Sequence, residues 1–334
     1  MFFRGIDFGV NNNEDILILD IGNCRIQIFD RDGKYLSTIG RKGQGPGEFI
    51  NPFDIQLDSN NNIYVQDSRK IHVFNNHGNF ERSVQLETDF GTFPRDVSLE
   101  SFGIMENGNF WGNIYSSIPD IGTMDIVIIN SEGKLIKKIV CFPAQRLSLI
   151  NGIRLFLYNP YFAYLYFCPV NPSVGVYGIA SEYRLCITDS SGKTLRVIEK
   201  DDTPKSISRE ERRYIINTKI ENLKKQNIDI NISSSEAEKL LDFKKYRPHY
   251  NGILKDEKGN LYIRRSKSVL DSEDYATFDL FNLEGYYLYE IKIPLSPKII
   301  RNGNLYISTS DNETGELVVK RYKIKNWQQI KKGI

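Results

Sequence analysis

Phe29-Asp30-Arg31-Asp32-Gly33 is the first of five similar five-residue stretches, each lying between two runs of β-forming residues. An apolar residue or Thr comes first, Asp or Asn second, and Gly fifth. Asp or Asn suits the first position of a type I turn because its side chain accepts hydrogen bonds from the turn backbone, and Gly tolerates the positive φ that follows. The pattern predicts five β-hairpins. The other copies are Phe74–Gly78, Ile129–Gly133, Thr188–Gly192 and Phe281–Gly285.

A second repeat predicts the number of structural units. A short strand preceded by a polar turn occurs six times, and successive starts are separated by 47, 47, 52, 99 and 44 residues. Six units of four short strands are typical of a β-propeller, in which each unit stacks on its neighbours to bury a core. We therefore predict an all-β, six-bladed β-propeller. The six strands are Ile16–Asp20, Ile63–Asp67, Phe110–Ile114, Phe162–Tyr166, Leu261–Arg265 and Leu305–Thr309.

The long interval between the fourth and fifth copies contains a segment with helical periodicity, residues 203–247. Ser208–Glu211 is a capping box, and Ser235–Glu238 is a second helix start. We predict a two-helix insertion between blades four and five of a single propeller domain, 1–334. The apolar positions expected to face the ring are Tyr214, Ile216, Ile220 and Leu223 in the first helix and Ala237, Leu240 and Leu241 in the second.

The insertion carries eleven Lys or Arg against seven Asp or Glu, which makes its outer face mildly basic. An ordinary solvated face, a lid over the channel and a docking element for a partner protein are all consistent with this charge. The whole chain has a net charge of only +2, which favours neither a nucleic-acid nor a membrane partner for the whole surface. No window is long and apolar enough to predict a membrane span, and we expect a monomer.

The four cysteines, Cys24, Cys141, Cys168 and Cys186, lack the spacing of a metal site. Cysteines in apolar strands usually behave as small buried hydrophobes. A Cys168–Cys186 disulfide across blade four is an alternative that the sequence leaves open.

The two ends of the chain affect ring closure and localisation. Met1 is followed within a few residues by a predicted first strand, Ile6–Gly9, which leaves no room for a signal peptide. The expected outer strand of blade six comes from Trp327–Ile330 or from residues preceding Met1. Cytoplasmic localisation and export of a longer precursor are the two alternatives.

The junction of blades one and two carries a specific resemblance. Ile28–Tyr35 is followed by Ile39–Phe49, which contains Gly-Gln-Gly-Pro-Gly-Glu-Phe, and then by Asn62–Asp67. This stretch resembles an NHL-type repeat, and more narrowly the six-bladed propeller proteins common in Bacteroidetes-like bacteria. The resemblance implies an NHL- or TolB-like propeller and an exported or lipid-anchored location, and it assigns no molecular role.

The glycine-rich loop, Gly43–Gly47, could in principle aim backbone amides at a phosphate. The next element is a strand, so the helix N-terminus that makes such loops effective is absent. We therefore interpret the loop as a structural crossover between two blades, stiffened by Pro46.

Catalytic motifs are few in this sequence. Only three histidines exist, His72, His77 and His249, and there is no Gly-x-Ser-x-Gly elbow. We predict no cofactor and favour a noncatalytic protein over an enzyme. The enzymatic alternative is a metal-dependent hydrolase or lyase that holds Ca²⁺ or Zn²⁺ with channel carboxylates. Its candidate ligands are Asp7, Asp54 and Asp96, near His249 and Asn251.

The loops that enter the inner strands converge on one mouth of a propeller's channel, and loops on a rigid scaffold commonly carry recognition. We therefore predict a ligand- or protein-binding scaffold whose guest is a protein, a peptide or a saccharide. The predicted site residues are Asn51, Phe53, Asp54, Arg95, Asp96, His249 and Tyr250.

A second alternative is RNA binding through a basic face. The segment Lys320–Lys325, with Lys331 and Lys332, contains no acid. Because these cations belong to a single blade, the sequence gives nucleic acid less support than a protein or saccharide partner.

Overall fold

The computed structural model describes residues 2, 5–87, 97–118, 121–144, 148–150, 153–155, 159–225, 233–272, 275–294, 297–311, 314, 316–325 and 327. Six antiparallel sheets of three or four strands follow one another along these ranges, and the predicted six-bladed propeller is confirmed.

Blade one contains β1 (Ile6–Val10), β2 (Ile16–Asp20), β3 (Arg25–Phe29) and β4 (Tyr35–Ile39). Blade two contains β5 (Pro52–Leu57), β6 (Ile63–Asp67), β7 (Lys70–Phe74) and β8 (Phe80–Gln85). Blade three contains β9 (Val97–Ile104), β10 (Phe110–Ile118), β11 (Ile121–Ile129) and β12 (Leu135–Pro143).

A short hairpin, β13 (Ser148–Ile150) and β14 (Ile153–Leu155), precedes blade four, and two helices, α1 (Arg209–Lys225) and α2 (Ser234–Leu241), follow it. Blade four contains β15 (Leu165–Asn171), β16 (Val174–Ile179), β17 (Arg184–Asp189) and β18 (Thr194–Glu199). Blade five contains β19 (Tyr250–Lys255), β20 (Leu261–Arg265), β21 (Tyr275–Phe281) and β22 (Tyr287–Pro294). Blade six contains β23 (Ile299–Arg301), β24 (Asn304–Ser310) and β25 (Leu317–Lys323).

The first strands of successive blades contact one another, so they form the wall of the central channel. Blade six closes the ring on blade one, because Tyr306 packs in one core cluster with Phe8 and Val10. We call the end of the channel where the first strands begin the upper end, and the opposite end the lower end. Separate apolar clusters lie between each pair of adjacent blades, as stacked units require.

The five predicted turns have the expected geometry. In each of them the Gly amide donates to the carbonyl of the Asp or Asn three residues earlier, at 2.9–3.0 Å. The carboxylate of Asp30 also accepts from the amides of Asp32 and Lys34, both at 2.9 Å. The same turn recurs at Asp256–Gly259, between the first and second strands of blade five. The five predicted glycines, Gly33, Gly78, Gly133, Gly192 and Gly285, all have positive φ.

The prediction that Phe162–Tyr166 is the second strand of blade four is wrong. Residues 159–164 form tight turns, and the side-chain amide of Asn159 donates to the carbonyl of Leu241 at the end of α2. The first strand, β15, begins only at Leu165. The misassignment arose because the β13–β14 hairpin adds residues before blade four and shifts the apparent repeat.

The helical insertion between blades four and five is confirmed, with two local corrections. Ser208 and Glu211 exchange the two hydrogen bonds of the predicted capping box. The cap of α2, however, is Ser233 rather than Ser235. Tyr214 is 49% exposed, and its neighbour Ile215 is buried instead. The helices enclose their own core, formed by Tyr161, Ile207, Ile215, Ile216, Ala237 and Leu241.

Blade six has three strands in the described part of the chain. Trp327 was predicted to begin an outer strand, but it packs inward against Gly303, beside the first hairpin of the blade. Residues 328–330 lie outside the described residues.

Candidate functional site

The carboxylate of Asp7 in blade one binds a backbone amide of blade two. It accepts from the amide of Ile55 at 3.0 Å. Because the channel edge of a first strand has no partner strand, its amides need such acceptors. Asp7 also forms an ion pair with Lys298 of blade six. Asp7 therefore links blade one to both of its neighbours.

Asp54 lies in an unusual polar environment between blades two and three. It pairs directly across the sheet with Gln66, so both side chains are on the same face. Asp54 Oδ2 and Gln66 Oε1 are both buried acceptors without a donor in the described part of the chain. Burial, opposed by hydrogen bonds from Gln56 and the backbone, raises the pKa of Asp54 to about 6. A proton on Asp54 would supply the donor that this interface lacks.

Blades five and six contribute cations to the opposite part of the wall. Lys298 lines the channel with about 38% of its side chain exposed, so water reaches it, and burial still lowers its pKa to about 8. The Asp7 carboxylate opposes that shift by favouring the charged amine. Lys255 donates to the carbonyl of Val170, and Arg301 donates to that of Val10. The channel wall is thus acidic on one side and basic on the other.

A second charged network lies at the upper end, between blades four and five. His249 Nδ1 is 2.8 Å from Asp202, which also accepts from Arg265 at 2.6 Å. The buried Asp279 accepts from Tyr183 at 2.6 Å and from Lys200 at 2.7 Å. Burial acts to raise the pKa of Asp202, but the hydrogen bond from His249 and the charge of Arg265 outweigh it and hold that pKa below its usual value. The network fixes His249 and Arg265 in one orientation.

The predicted site residues that the structure describes lie at the upper end, but on opposite sides of the ring. Asn51 is exposed, Phe53 is half-buried and Asp54 is buried, all in or next to blade two. The Asn51 amide donates to Asp67 at 2.7 Å. His249 belongs to the network of blades four and five.

Tyr250 is a core residue. It is fully buried between blades four and five, and burial strongly raises its pKa. The structure therefore does not present it to the channel. Arg95 and Asp96 lie outside the described residues.

The glycine-rich loop encloses a carboxylate of its own chain. Glu48 accepts from the Gly45 amide at 2.9 Å and from Arg41 Nε at 2.7 Å. The hydrogen bond from the Gly45 amide, followed by that from Arg41, lowers the pKa of this half-buried carboxyl. A Cβ on Gly43 would lie 2.0 Å from Glu48 Oε2. The glycines therefore make room for Glu48, which supports the interpretation as a structural crossover.

His72 has hydrogen-bonding partners within its own blade, and the cysteines form no disulfide. His72 is buried, with Nδ1 2.9 Å from Ser83 and Nε2 3.5 Å from Asp67. All four cysteines are free. Within the described ranges, no group of three or more His, Cys, Asp or Glu side chains is placed to hold a metal ion.

Exposed apolar side chains gather around the insertion at the upper end. Tyr214 belongs to α1, Tyr246 to the segment after α2 and Leu270 to the connection between β20 and β21, and Tyr275 is the first residue of β21. All four are 44–49% exposed. Val269, next to Leu270, packs into the core of the insertion, so these elements meet. The predicted basic segment of β25 is partly neutralised, because Arg321 lies 3.7 Å from Glu14 and 3.8 Å from Asp32.

Several residues of these networks escaped the sequence analysis. The available signal was a charged residue within an apolar strand, as with Asp279 between Phe278 and Leu280. Lys255 and Arg301 carry no such signal, because lysine and arginine at the end of a strand are normally solvated. The missed residues are Lys200, Asp202, Lys255, Arg265, Asp279, Lys298 and Arg301.

Comparisons with known proteins agree with this architecture. A family model described as a 6-bladed beta-propeller matches residues 10–111. A crystal structure of a duf4221 family member from Bacteroides vulgatus matches 96% of this chain and 92% of that chain, with a TM-score of 0.55 and 14% identity. Virginiamycin B lyase from Staphylococcus aureus matches 95% of this chain and 83% of that chain, with a TM-score of 0.40 and 12% identity. At such identities the likeness concerns the fold alone.

Among curated proteins, "Protein brain tumor" of Drosophila melanogaster is 24% identical over 136 residues, which are 40% of this chain. The match spans 12% of that protein's length. The resemblance to six-bladed NHL-type propellers is confirmed. No helix in the described part of the chain is long and apolar enough to cross a membrane.

Proposed function

We propose that this NHL-like propeller is a noncatalytic binding module that holds an acidic, partly apolar segment of another protein at its upper end. The observation that carries the proposal is the set of exposed aromatic and aliphatic side chains around the insertion. Exposed apolar side chains grouped together, with polar residues around them, are typical of protein-binding surfaces. We define this upper surface by Tyr214, Tyr246, Leu270 and Tyr275.

The charges next to the upper surface favour an acidic partner. Lys245 lies over the ring of Tyr246 at 5.1 Å, and Lys292 lies over that of Tyr275 at 5.0 Å. The insertion as a whole has the excess of basic residues noted above. Cations beside aromatic rings provide both a charge and an apolar contact for an acidic peptide.

The rigid network next to this surface supports specific recognition. His249 and Arg265 are held by Asp202, so a guest would meet polar groups that need little ordering. We include His249 in the site, with Asn51 and Phe53 as the opposite rim of the channel mouth. The buried Asp54 and Tyr250 would act only by supporting this frame.

The test is a selection of random displayed peptides on the immobilised protein, followed by affinity measurements on the enriched sequences. We expect acidic peptides with apolar residues. The double variant Tyr246→Ala/Leu270→Ser should weaken their binding at least about tenfold, since central aromatic and aliphatic contacts dominate such interfaces. The matched control is Tyr286→Ala/Leu36→Ser, which removes exposed side chains of the same kinds elsewhere.

Equal losses in the two double variants would contradict the proposed surface. A glycan array probed in parallel tests the alternative ligand class, saccharides. Glycan binding without peptide enrichment would overturn the protein partner in favour of a saccharide.

A further inference from the structure

Blade six exposes the edge of its third strand, β25. Blades one to five each continue into a fourth strand, whereas β25 has no strand on its outer side in the described part of the chain. The third strands of blades two and five are mostly buried, but every residue of β25 is half-buried or exposed. The strand therefore occupies the place of a third strand and has the exposure of a fourth.

The backbone of β25 alternates between β24 and this open edge. The Ile324 amide donates to the carbonyl of Gly303 at 2.8 Å, beyond one end of the β24–β25 pair. The Asp311 amide donates to the carbonyl of Glu316 at 2.7 Å, beyond the other end. Because the register between these two bonds is continuous, the even-numbered residues of β25 are the ones that exchange hydrogen bonds with β24. The residues whose N–H and C=O groups point to the open edge, without a partner in the described part of the chain, are Leu317, Val319, Arg321 and Lys323.

The side chains of this segment carry an excess of positive charge. Lys320, Lys323 and Lys325 are exposed, and within the described ranges only Arg321 of these four cations lies within ion-pair distance of an acid. Like charges directly opposite each other destabilise a strand pair, so two copies of β25 would repel each other. An added strand with acidic side chains would be attracted instead.

The apolar part of β25 indicates what else such a strand needs. Val319 packs against the cluster that joins blade six to blade one, and Leu317 is half-buried. Residues two apart in a strand share a face. Apolar residues at every second position of an added strand would therefore extend this cluster, and the acidic residues would lie between them.

We infer that the open edge of β25 binds an extended, acidic segment of a partner protein as the fourth strand of blade six. Main-chain hydrogen bonds to an exposed strand edge provide affinity, and the alternate side chains provide specificity. The edge belongs to blade six, whereas the upper surface is formed by the insertion and blade five. The inference therefore does not depend on the proposed function.

The test is fluorescence anisotropy with a labelled, end-capped peptide of about eight residues that alternates valine and glutamate. This length spans the seven residues of β25. We expect saturable binding that weakens as sodium chloride is raised. One control peptide alternates valine and lysine, which keeps the backbone and reverses the charge. A second alternates proline and glutamate, which keeps the acids but disfavours a strand, and neither control should bind.

Substitution of Arg321 separates the backbone contribution from the charge. Arg321→Pro removes an N–H that points to the open edge and leaves the hydrogen bonds to β24 in place. Arg321→Ala is the matched control, because it removes the same charge and keeps the N–H. We expect Arg321→Pro to bind the acidic peptide at least about tenfold more weakly than Arg321→Ala. The Tm of each variant shows whether it is folded.

A charge variant provides a second measurement that does not alter the backbone. Lys320→Met/Lys323→Met should weaken the acidic peptide about threefold and reduce the salt dependence of its binding. Lys70→Met/Lys193→Met, which removes exposed lysines of blades two and four, is the matched control and should bind as the parent does.

Failure of the acidic peptide to bind the parent protein, or equal binding by Arg321→Pro and Arg321→Ala, would overturn the inference. Loss of binding in Tyr246→Ala/Leu270→Ser, with none in the β25 variants, would place the peptide on the upper surface. That result would overturn the inference and leave the proposed function intact.

Two further results would replace the occupant. A single-stranded RNA that binds more tightly than the peptide and loses affinity in Lys320→Met/Lys323→Met would assign the segment to nucleic acid. Tighter peptide binding by a chain that ends at Trp327 would mean that residues 328–334 compete for the same edge. Either result would overturn a partner protein as the ligand of β25.

Discussion

The two halves of the channel wall satisfy backbone hydrogen-bonding groups with side chains of opposite charge. On the side of blades one and two, a carboxylate accepts from a backbone amide at a strand edge, as Asp7 does from Ile55. On the side of blades four to six and back to blade one, cations donate to backbone carbonyls at strand ends, as Lys255 does to Val170. Each group crosses from one blade to the next, so both halves contribute to closing the ring.

The two halves differ in how well their backbone groups tolerate the loss of a hydrogen-bonding partner. A backbone amide has one hydrogen to donate, and buried amides without an acceptor are rare in proteins. A carbonyl has two lone pairs and tolerates incomplete satisfaction better. We therefore expect the carboxylates of the acidic half to contribute more to stability than the cations of the basic half.

The largest expected effect concerns the protonation of Asp54. Its pKa is raised from 3.8 in the unfolded chain to about 6 in the folded protein, so the folded state holds the proton more tightly. This contribution to stability is complete below about pH 4, falls as the pH rises to about 6, and amounts to about 3 kcal/mol at most. Asp54→Asn supplies a permanent donor, so we expect it to be more stable than the parent at pH 7.5, with the difference vanishing near pH 4.

Urea unfolding at several pH values between 4 and 7.5 measures this difference. Asp30→Asn is the matched control, because Asn occupies the equivalent turn position in three of the five hairpins. A constant difference between Asp54→Asn and the parent over this range would show that Asp54 is ionised throughout.

The next effect separates a lost hydrogen bond from a lost charge at Asp7. Asp7→Ala leaves the Ile55 amide and the Lys298 ammonium without their acceptor, and we expect a loss of about 2 kcal/mol in the free energy of unfolding. Solvent screening of the part-exposed Lys298 keeps the ionic share of this loss small.

Asp7→Asn is the informative comparison, since it keeps an oxygen for Ile55 and removes only the charge. We expect it to lose less than half as much as Asp7→Ala in the same urea experiment. Equal losses would mean that the ion pair with Lys298 of blade six, rather than the hydrogen bond to Ile55 of blade two, accounts for the stabilisation by Asp7.

The repeating parts of the fold could be predicted because their causes are local. The turn at Asp30–Gly33 depends on residues within a few positions of one another, and the capping box of Ser208 and Glu211 does too. Blade four was misassigned because the β13–β14 hairpin lengthens the interval before it. The turns that precede its first strand contact α2 through Asn159 and Leu241, 82 residues apart in the chain, and no local pattern reports such a contact.

The site was harder to predict for the same reason. His249 was identified from its position at the start of an inner strand, but its partner Asp202 lies 47 residues away, before the insertion. Tyr250, one residue later, was expected at the mouth but is buried against Tyr166 and Tyr183 of blade four. Arg301 and Val10, 291 residues apart, meet only when the ring closes.

The smallest expected effect tests the basic half directly. Lys255→Met removes the donor to the Val170 carbonyl but also relieves the repulsion from Arg301, so the two consequences offset each other. We expect its free energy of unfolding to fall by no more than about 1 kcal/mol, clearly less than for Asp7→Ala. The free energies of unfolding of both variants are measured in urea, with Lys320→Met, which removes an exposed lysine, as the control.

If Lys255→Met lost as much stability as Asp7→Ala, the lysine would be a structural cap like the carboxylate. A small loss of stability would instead show that a carbonyl at a strand end tolerates the loss of its donor better than the Ile55 amide tolerates the loss of its acceptor.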